Sequence, residues 1–274
     1  MKKLIAVFSS LMFVCGFAYA EMQSRNTDPR IIALEGEHRS EKNKQRNQYR
    51  HPLETLDFFG MKPDMTVVEI WPGGGWYTEV LAPLLKEKGQ LIGAHFYADA
   101  PSEYYRNSRK NFESKLAAND VYRNVEMASF FPGNNEGFVK DNSADMVLTF
   151  RNLHNWYMQN DSEGARSAFN MFFKALKPGG VLGVVDHELP QGLDQAIHKR
   201  SGYVSKSLAI KWATEAGFEF AGESAINANP KDTALHPRGV WTLPPSLRLG
   251  ETDKSKYLAI GESNRMTLKF IKPM

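Results

Sequence analysis

The chain has 274 residues, with 34 basic and 31 acidic side chains, a formal net charge of +3 and a single cysteine, Cys15. Such a balance gives no support for a nucleic-acid partner, and one thiol excludes both a disulfide framework and a thiolate metal cluster. The length suits one large α/β domain with an insertion better than two domains.

Lys2 and Lys3, the apolar run from Leu4 to Phe17 and the small-x-small string Ala18-Tyr19-Ala20 have the order of a secretory leader. Cleavage is expected after Ala20, and a periplasmic or secreted location with it. Val14 before Cys15 argues against a lipoprotein. Residues 1–20 carry Lys2, Lys3 and Cys15 but no acid, so the mature chain keeps 32 basic and 31 acidic side chains, a net charge of +1, and no cysteine. The leader is short for a membrane span and no other segment is apolar enough, so no stable membrane insertion is expected after cleavage.

Residues 21–51 form a polar N-terminal arm in which Glu35, Glu37, His38, Arg39, Glu41, Lys42, Lys44 and Arg46 crowd together. A solvated arm or helix laid over the domain of residues 52–274 is predicted. Pro52 then opens a short amphipathic helix with Leu53, Leu56, Phe58 and Phe59 turned inward, stopped by Gly60 and Pro63. A β-branched run over residues 66–70 predicts a buried strand ending near Glu69, and Val80, Leu81, Leu84 and Leu85 lie on one side of a helix over 77–86. Between them stands Trp71-Pro72-Gly73-Gly74-Gly75-Trp76-Tyr77-Thr78. Glycines there permit positive φ and bring bare backbone against a ligand, and this is where an α/β sheet binds an adenosine-containing molecule. A tight turn without a ligand is the alternative.

The alternation continues with strands over 90–94, 125–128 and 145–150 and helices over 102–118 and 163–176. Lys177-Pro178-Gly179-Gly180 stops the last of these helices before a strand over 181–186. A helix over 206–216 and a strand over 218–223 follow. Residues 227–263, broken by Pro230, Pro237, Pro244 and Pro245, read as a long loop, which in a compact domain tends to be functional or mobile. The final strand, over 266–271, follows its predecessor without a helix, so the two are predicted to be antiparallel. The fold class is therefore α/β: a Rossmann-like mixed sheet of seven strands, helices on both faces and an antiparallel last strand.

Ligands of open parallel sheets lie beyond the carboxyl ends of the strands. The candidates are thus Glu69 with the glycine turn, His95 and Phe96, Met127 to Ser129, Arg151 to Tyr157, and Asp186 to Glu188. The glycine turn, the strand over 145–150 with its polar tail and the Leu176-Lys177-Pro178-Gly179-Gly180 turn occur in this order. In that set the chain resembles class I S-adenosylmethionine-dependent methyltransferases. It is most similar to a family of exported methyltransferases for which the Trp71 to Thr78 string and His154-Asn155-Trp156 are distinctive. The match covers about residues 50–226 and the last strand.

The resemblance implies S-adenosylmethionine as cofactor and an unidentified small-molecule acceptor. It implies that Glu69 meets the donor's methionine moiety and that Gly73 and Gly75 belong to the cofactor loop. His95, Met127, Ala128, Arg151 and Asn152 complete the expected cofactor set. Two positions depart from the pattern. Trp71 stands where the first glycine is usual, and either narrows the pocket or replaces a packing glycine. His95 stands where an acid usually holds both ribose hydroxyls; one imidazole nitrogen accepts a single hydrogen bond, so His95 is either a weaker ribose ligand or a satisfied strand-end histidine. Met127 and Ala128 stand where an adenine-contacting pair is expected, but an apolar pair is ordinary core, and core is the favoured reading.

Methyl transfer requires alignment and, for a protonated acceptor, one base. His154 and Asp186 are the expected catalytic pair, with Asn152 and Asn155 to orient ligands and Trp156 with Tyr157 as an aromatic wall. No metal is expected, because no His-x-x-x-His or His-Glu-x-x-His spacing supports one. His38, His51, His198 and His236 read as solvated surface histidines. The rival is a secreted, non-catalytic ligand-binding protein on the same fold, since export separates the chain from the cytoplasmic supply of donor. A dehydrogenase fits less well, because Gly73 to Thr78 lacks the last glycine of the dinucleotide fingerprint.

Overall fold

A computed structural model describes residues 28–274; the expected leader and its cleavage site lie outside the described residues. Strands β1 (Thr66–Ile70), β2 (Gln90–His95), β3 (Val125–Ser129), β4 (Ala144–Phe150), β5 (Leu176–Leu189), β6 (Val204–Ser205), β7 (Glu219–Ser224) and β8 (Arg265–Ile271) form one sheet. Its order is β3-β2-β1-β4-β5-β8-β7, with β6 added to the far end of β5. From β3 to β5 the pairings are parallel, and β8 runs antiparallel to both β5 and β7. The expected mixed sheet is present, with β6 as an eighth, two-residue strand.

Parallel strands covered on both faces read as continuous apolar runs, which is why Val67 and Val68, on opposite faces of β1, are both fully buried. On one face Val68, Val147, Leu182 and Val184 pack under Phe169 and Phe172 of helix α7 (Leu153–Ala175) and Trp212 of α8 (Lys206–Glu215). On the other, Val67, Leu91, Met146 and Leu148 lie under α4 (Pro52–Phe59) and α5 (Thr78–Leu85). Helix α6 (Glu103–Ala117) sets Phe112 against Gly93 of β2, where an added Cβ would meet the ring at 3.0 Å.

Three expectations change. Helix α7 begins at Leu153 rather than near residue 163; the backbone breaks at Asn160 and Asp161 (φ −141° and +50°), so a separate N-terminal segment carries His154. Strand β5 continues past Asp186 to Leu189 because β8 pairs with it through His187 and Arg265 and β6 through Glu188 and Val204. Asp186 is therefore inside a strand. Finally, residues 227–263 are not wholly irregular, since Lys254–Ile260 is helical (α9) and residues 239–242 make a single tight turn.

The polar arm folds into α1 (Pro29–Glu35), α2 (Glu41–Lys44) and α3 (Asn47–Arg50). Its charges are not all solvated. The Arg39 and Arg50 side chains are buried, and Arg39 Nε donates to Glu79 at 3.3 Å, where Asn43 and Lys115 also converge. Trp76 explains the docking: the guanidinium groups of Arg39 and Arg50 lie over its ring, 4.9 and 4.5 Å from the centroid, and its Nε1 donates to the Asn43 carbonyl at 3.1 Å. His38 and His236 are likewise not free surface groups, engaging the Glu79 carbonyl and the Asp232 carboxylate, each at 2.8 Å. Among the described residues, no helix is long and apolar enough to cross a membrane.

Candidate active site

A cavity of about 500 Å3 opens beyond the carboxyl ends of β1 and β4. Its floor is Glu69 to Gly74 and Phe150 to Asn152. The arm supplies Asn43, Arg46 and Arg50, and the loop after β7 supplies Trp241, Arg248, Glu262 and Ser263. A second cavity of about 320 Å3 shares Trp71, Gly73, Tyr104, Asn152 and Asn155 with it and extends to Phe96, Ser102, Tyr105 and Ser108. Both volumes fall in the range of small-molecule sites.

The glycine turn opens this space. Trp71 has φ +44° and Gly73 +58°, a left-handed conformation that favours glycine and in which an indole-bearing residue is strained. The strain is held by the ring. Trp71 Nε1 donates to the Phe130 carbonyl at 2.9 Å, and the indole packs among Phe96, Phe130, Phe131 and Trp156. Trp71 thus borders the cavity without filling it. A Cβ at Gly73 or Gly74 would meet nothing within 4 Å, so bare backbone faces open space at both. Gly75 differs, because its Cβ would meet Phe112 at 3.0 Å and Lys115 at 3.1 Å; it serves the packing of α6.

Glu69 is buried and accepts from Thr78 Oγ1 at 2.6 Å, and burial raises its carboxyl to about 7. Asn152 Nδ2 donates to the Ile70 carbonyl at 2.7 Å and ties the ends of β1 and β4 together. His95 turns away from both cavities. Its Nδ1 accepts from the Phe96 N–H at 2.8 Å, which leaves Nε2–H to donate to the Gly73 carbonyl at 3.3 Å, and burial lowers its pKa to about 4. It is a neutral strut under the glycine turn. Met127 and Ala128 line neither cavity.

His154 lines the larger cavity, and its Nδ1 lies 2.8 Å from Asp186 Oδ1. The same carboxylate accepts from the backbone N–H of His154 at 3.3 Å and of His187 at 2.7 Å. With Nδ1–H held by the carboxylate, Nε2 of His154 is the free acceptor. His187 Nδ1 is 2.5 Å from Ser263 Oγ, and burial, with His154 and Arg151 beside it, holds the ring well below the usual imidazole range. His154, Asp186 and His187 each bring a ligand atom within 4.8 Å of the others. His154 Nδ1 and Asp186 Oδ1 engage each other, His187 Nδ1 engages Ser263, and Arg151, Arg265 and Arg50 lie close to His187, so the surroundings disfavour an added cation.

Trp156 and Tyr157 do not form the aromatic wall. Trp156 is core and Tyr157 packs on Trp212, while Trp76, Tyr104 and Trp241 take that place. Sequence reasoning does not single out Arg46, Arg50 and Gly74, and it reaches Glu262 and Ser263 only as the end of the loop over 227–263 that it expects to be functional. Glu262 gathers the arginines, accepting from Arg46 Nε at 2.5 Å, Arg50 Nε at 3.3 Å and Arg265 Nη1 at 3.2 Å. Burial alone would raise its carboxyl, but Arg50, Arg265 and Arg46 outweigh burial and hold it at about 2. Trp76 in the glycine string is the one sequence signal for the arm, since an aromatic between basic segments is a natural partner for arginine.

No family model matches the chain, and none of the curated proteins does. Among solved structures, it is similar to a SAM-dependent methyltransferase from Aquifex aeolicus at 17% identity and a TM-score of 0.53, over 84% of this chain and 96% of the other. A SAM-dependent methyltransferase from Methanosarcina mazei aligns at 12% identity and 0.54, over 80% and 97%. The [4+2]-cyclase SpnF aligns at 15% identity and 0.56, over 84% and 82%. The chain therefore has the Rossmann-like fold on which SAM-dependent methyltransferases are built, and which also carries a cyclase.

Proposed function

We propose that the protein transfers a methyl group from S-adenosylmethionine to a small-molecule acceptor. The observation that carries the reading is one cavity walled on one side by Glu69 and the bare backbone of Gly73 and Gly74, and on another by His154, whose Nδ1 is held from behind by Asp186. Glu69 would meet the ammonium of the methionine moiety, and the smaller cavity, with Phe96, Tyr104 and Tyr105, would take the nucleoside. The donor, when bound, supplies a methyl group on a cationic sulfur. As the acceptor's lone pair forms the new bond to carbon, the old S–C pair stays on sulfur and the acceptor's proton passes to His154 Nε2. Asp186 fixes the tautomer and faces the imidazolium that results.

Calorimetric titration with S-adenosylmethionine and S-adenosylhomocysteine tests the donor half. Binding of either is expected, and Gly74→Trp is expected to abolish it with the fold intact, because the substitution projects into open space at a residue without positive φ. A tryptophan at Gly75 would instead disturb Phe112. Absence of heat or thermal shift with the wild type would move the assignment to a binding protein on this fold. His154→Gln should leave donor affinity within about threefold and lower turnover by about 10²–10⁴-fold. Lost donor binding in a folded His154→Gln protein would place the residue in the donor pocket instead. Export remains part of the proposal, and N-terminal sequencing of the mature protein should begin at Glu21.

A further inference from the structure

The cavity has an excess of cationic donors that the methyl donor does not match. Arg46, Arg50, Arg151 and Arg248 line it against two carboxylates, Glu69 and Glu262. Glu69 favours its neutral form up to about pH 7, so Glu262 is the main counter-charge, and it already serves Arg46, Arg50 and Arg265. The Arg50 side chain is 1% exposed, and among the described residues neither its Nη2 nor the buried Nη2 of Arg46 has a hydrogen-bond partner. Arg151 sits on a left-handed backbone, φ +63°, between β4 and α7. It is the charged neighbour that most disfavours the Arg50 cation.

Buried guanidinium groups left without acceptors are costly, and a forked oxyanion satisfies two N–H groups at once. S-adenosylmethionine cannot fill this role alone. Its sulfonium and ammonium outnumber its one carboxylate, so it adds positive charge to a site already in excess. We propose that Arg46, Arg50 and Arg151 form a clamp for an oxyanion on the second ligand, making the acceptor a small carboxylate or phosphate ester. This rests on the reading of the cavity as a methyl-transfer site, and it moves Arg151 from the cofactor set to the acceptor set. The anion would orient the acceptor for His154 and offset the donor's charge, so donor and acceptor would each strengthen the other's binding.

The test uses the whole mature protein with inorganic phosphate and with succinate as probes, at ionic strength fixed with sodium chloride. Both titration calorimetry and thermal shift are read, with and without saturating S-adenosylhomocysteine. Either probe is expected to bind, and Arg151→Met to weaken it about tenfold or more. Arg151 suits the experiment because its side chain has no hydrogen-bond partner among the described residues; Arg46→Met is the second variant if that protein fails to fold. A preference for phosphate or for succinate separates the two acceptor types. Shifts no larger than those with chloride, or equal in the folded variant, overturn the clamp. Mutual exclusion of probe and S-adenosylhomocysteine also overturns it, assigning the arginines to the donor's own carboxylate. Arginine-dependent probe binding with no nucleoside binding keeps the clamp and sinks methyl transfer, so the two failures are distinct.

Discussion

Glu262→Gln is expected to lower the unfolding free energy by about 3–5 kcal/mol, the range for removing one partner from a buried ionic cluster. At the 2–4 °C per kcal/mol usual for a chain of this size, that is a fall of about 6–20 °C in Tm. The glutamate holds Arg46, Arg50 and Arg265 in one cluster. Those groups belong to α3 and β8 and to the turn between α2 and α3, so the same carboxylate staples the arm to the sheet. The pH dependence carries the same signature. The folded carboxyl is held at about 2 against an ordinary 4.5. A depressed carboxylate contributes stability that is complete above the unfolded value and lost as pH falls through the folded one. Wild type should therefore lose about 3 kcal/mol between pH 4.5 and 2 that the variant lacks from the start, by the usual linkage conversion. Urea melts at pH 7 measure the first quantity, and melts at pH 3 should already show about 2 kcal/mol of the second. Equal stability of the two proteins at pH 7 would show that the arginines are neutralised by something other than Glu262.

The consequence reaches the site, because Arg46 and Arg50 also line the cavity. A cluster that docks the arm and also lines the cavity makes the arm part of the cavity wall. A domain starting at Pro52 would lack that wall. The buried charge is conditionally stable: an oxyanion arriving at Arg50 relieves like-charge repulsion that folding alone leaves in place.

What the sequence reveals follows from which interactions are local. The β1 run, the glycine turn and the Gly179-Gly180 stop are written in short-range propensity, and the sheet follows from their alternation. That Glu69 and His154 border the cavity is legible because they lie at and just beyond the ends of β1 and β4, where α/β sheets place ligands; Asp186 lies inside β5 and meets the cavity only through His154. The arm is not legible. Arg50 looks like any residue of a charged segment, and only contact with Trp76 and Glu262, the latter 212 positions away, makes it buried. Residue spacing alone also could not say that Gly75 faces Phe112 while Gly74 faces the cavity, since that depends on where α6 returns. His95 illustrates the same limit: its place at the end of β2 is local, whereas its turn toward the Gly73 carbonyl is set by the fold of the turn itself.

Glu69→Gln should change stability in the opposite sense to Glu262→Gln. Glu69 is 2% exposed, its one side-chain partner among the described residues is Thr78, and burial lifts its carboxyl from 4.5 to about 7. A carboxyl with a raised folded pKa contributes stability that is fully present below the unfolded value and lost as pH rises through the folded one. The wild type should accordingly weaken between pH 4.5 and 7 by about 3 kcal/mol, an upper figure from the same conversion. The amide cannot ionise and escapes that loss. Glu69→Gln is thus expected to be the more stable protein at pH 8 and no more stable at pH 4. If Glu69 meets the ammonium of S-adenosylmethionine, the bound cation stabilises the ionised form, and donor affinity in the wild type should fall as pH drops below 7. In the variant donor binding should be weaker by about tenfold at pH 8, the size of one lost charge-assisted hydrogen bond, and flat across the same range. Thermal melts and donor titrations at pH 5.5 and 8 separate the two effects. A variant less stable than wild type at pH 8, yet binding donor unchanged, would make Glu69 a structural partner of Thr78 and remove it from the methionine subsite.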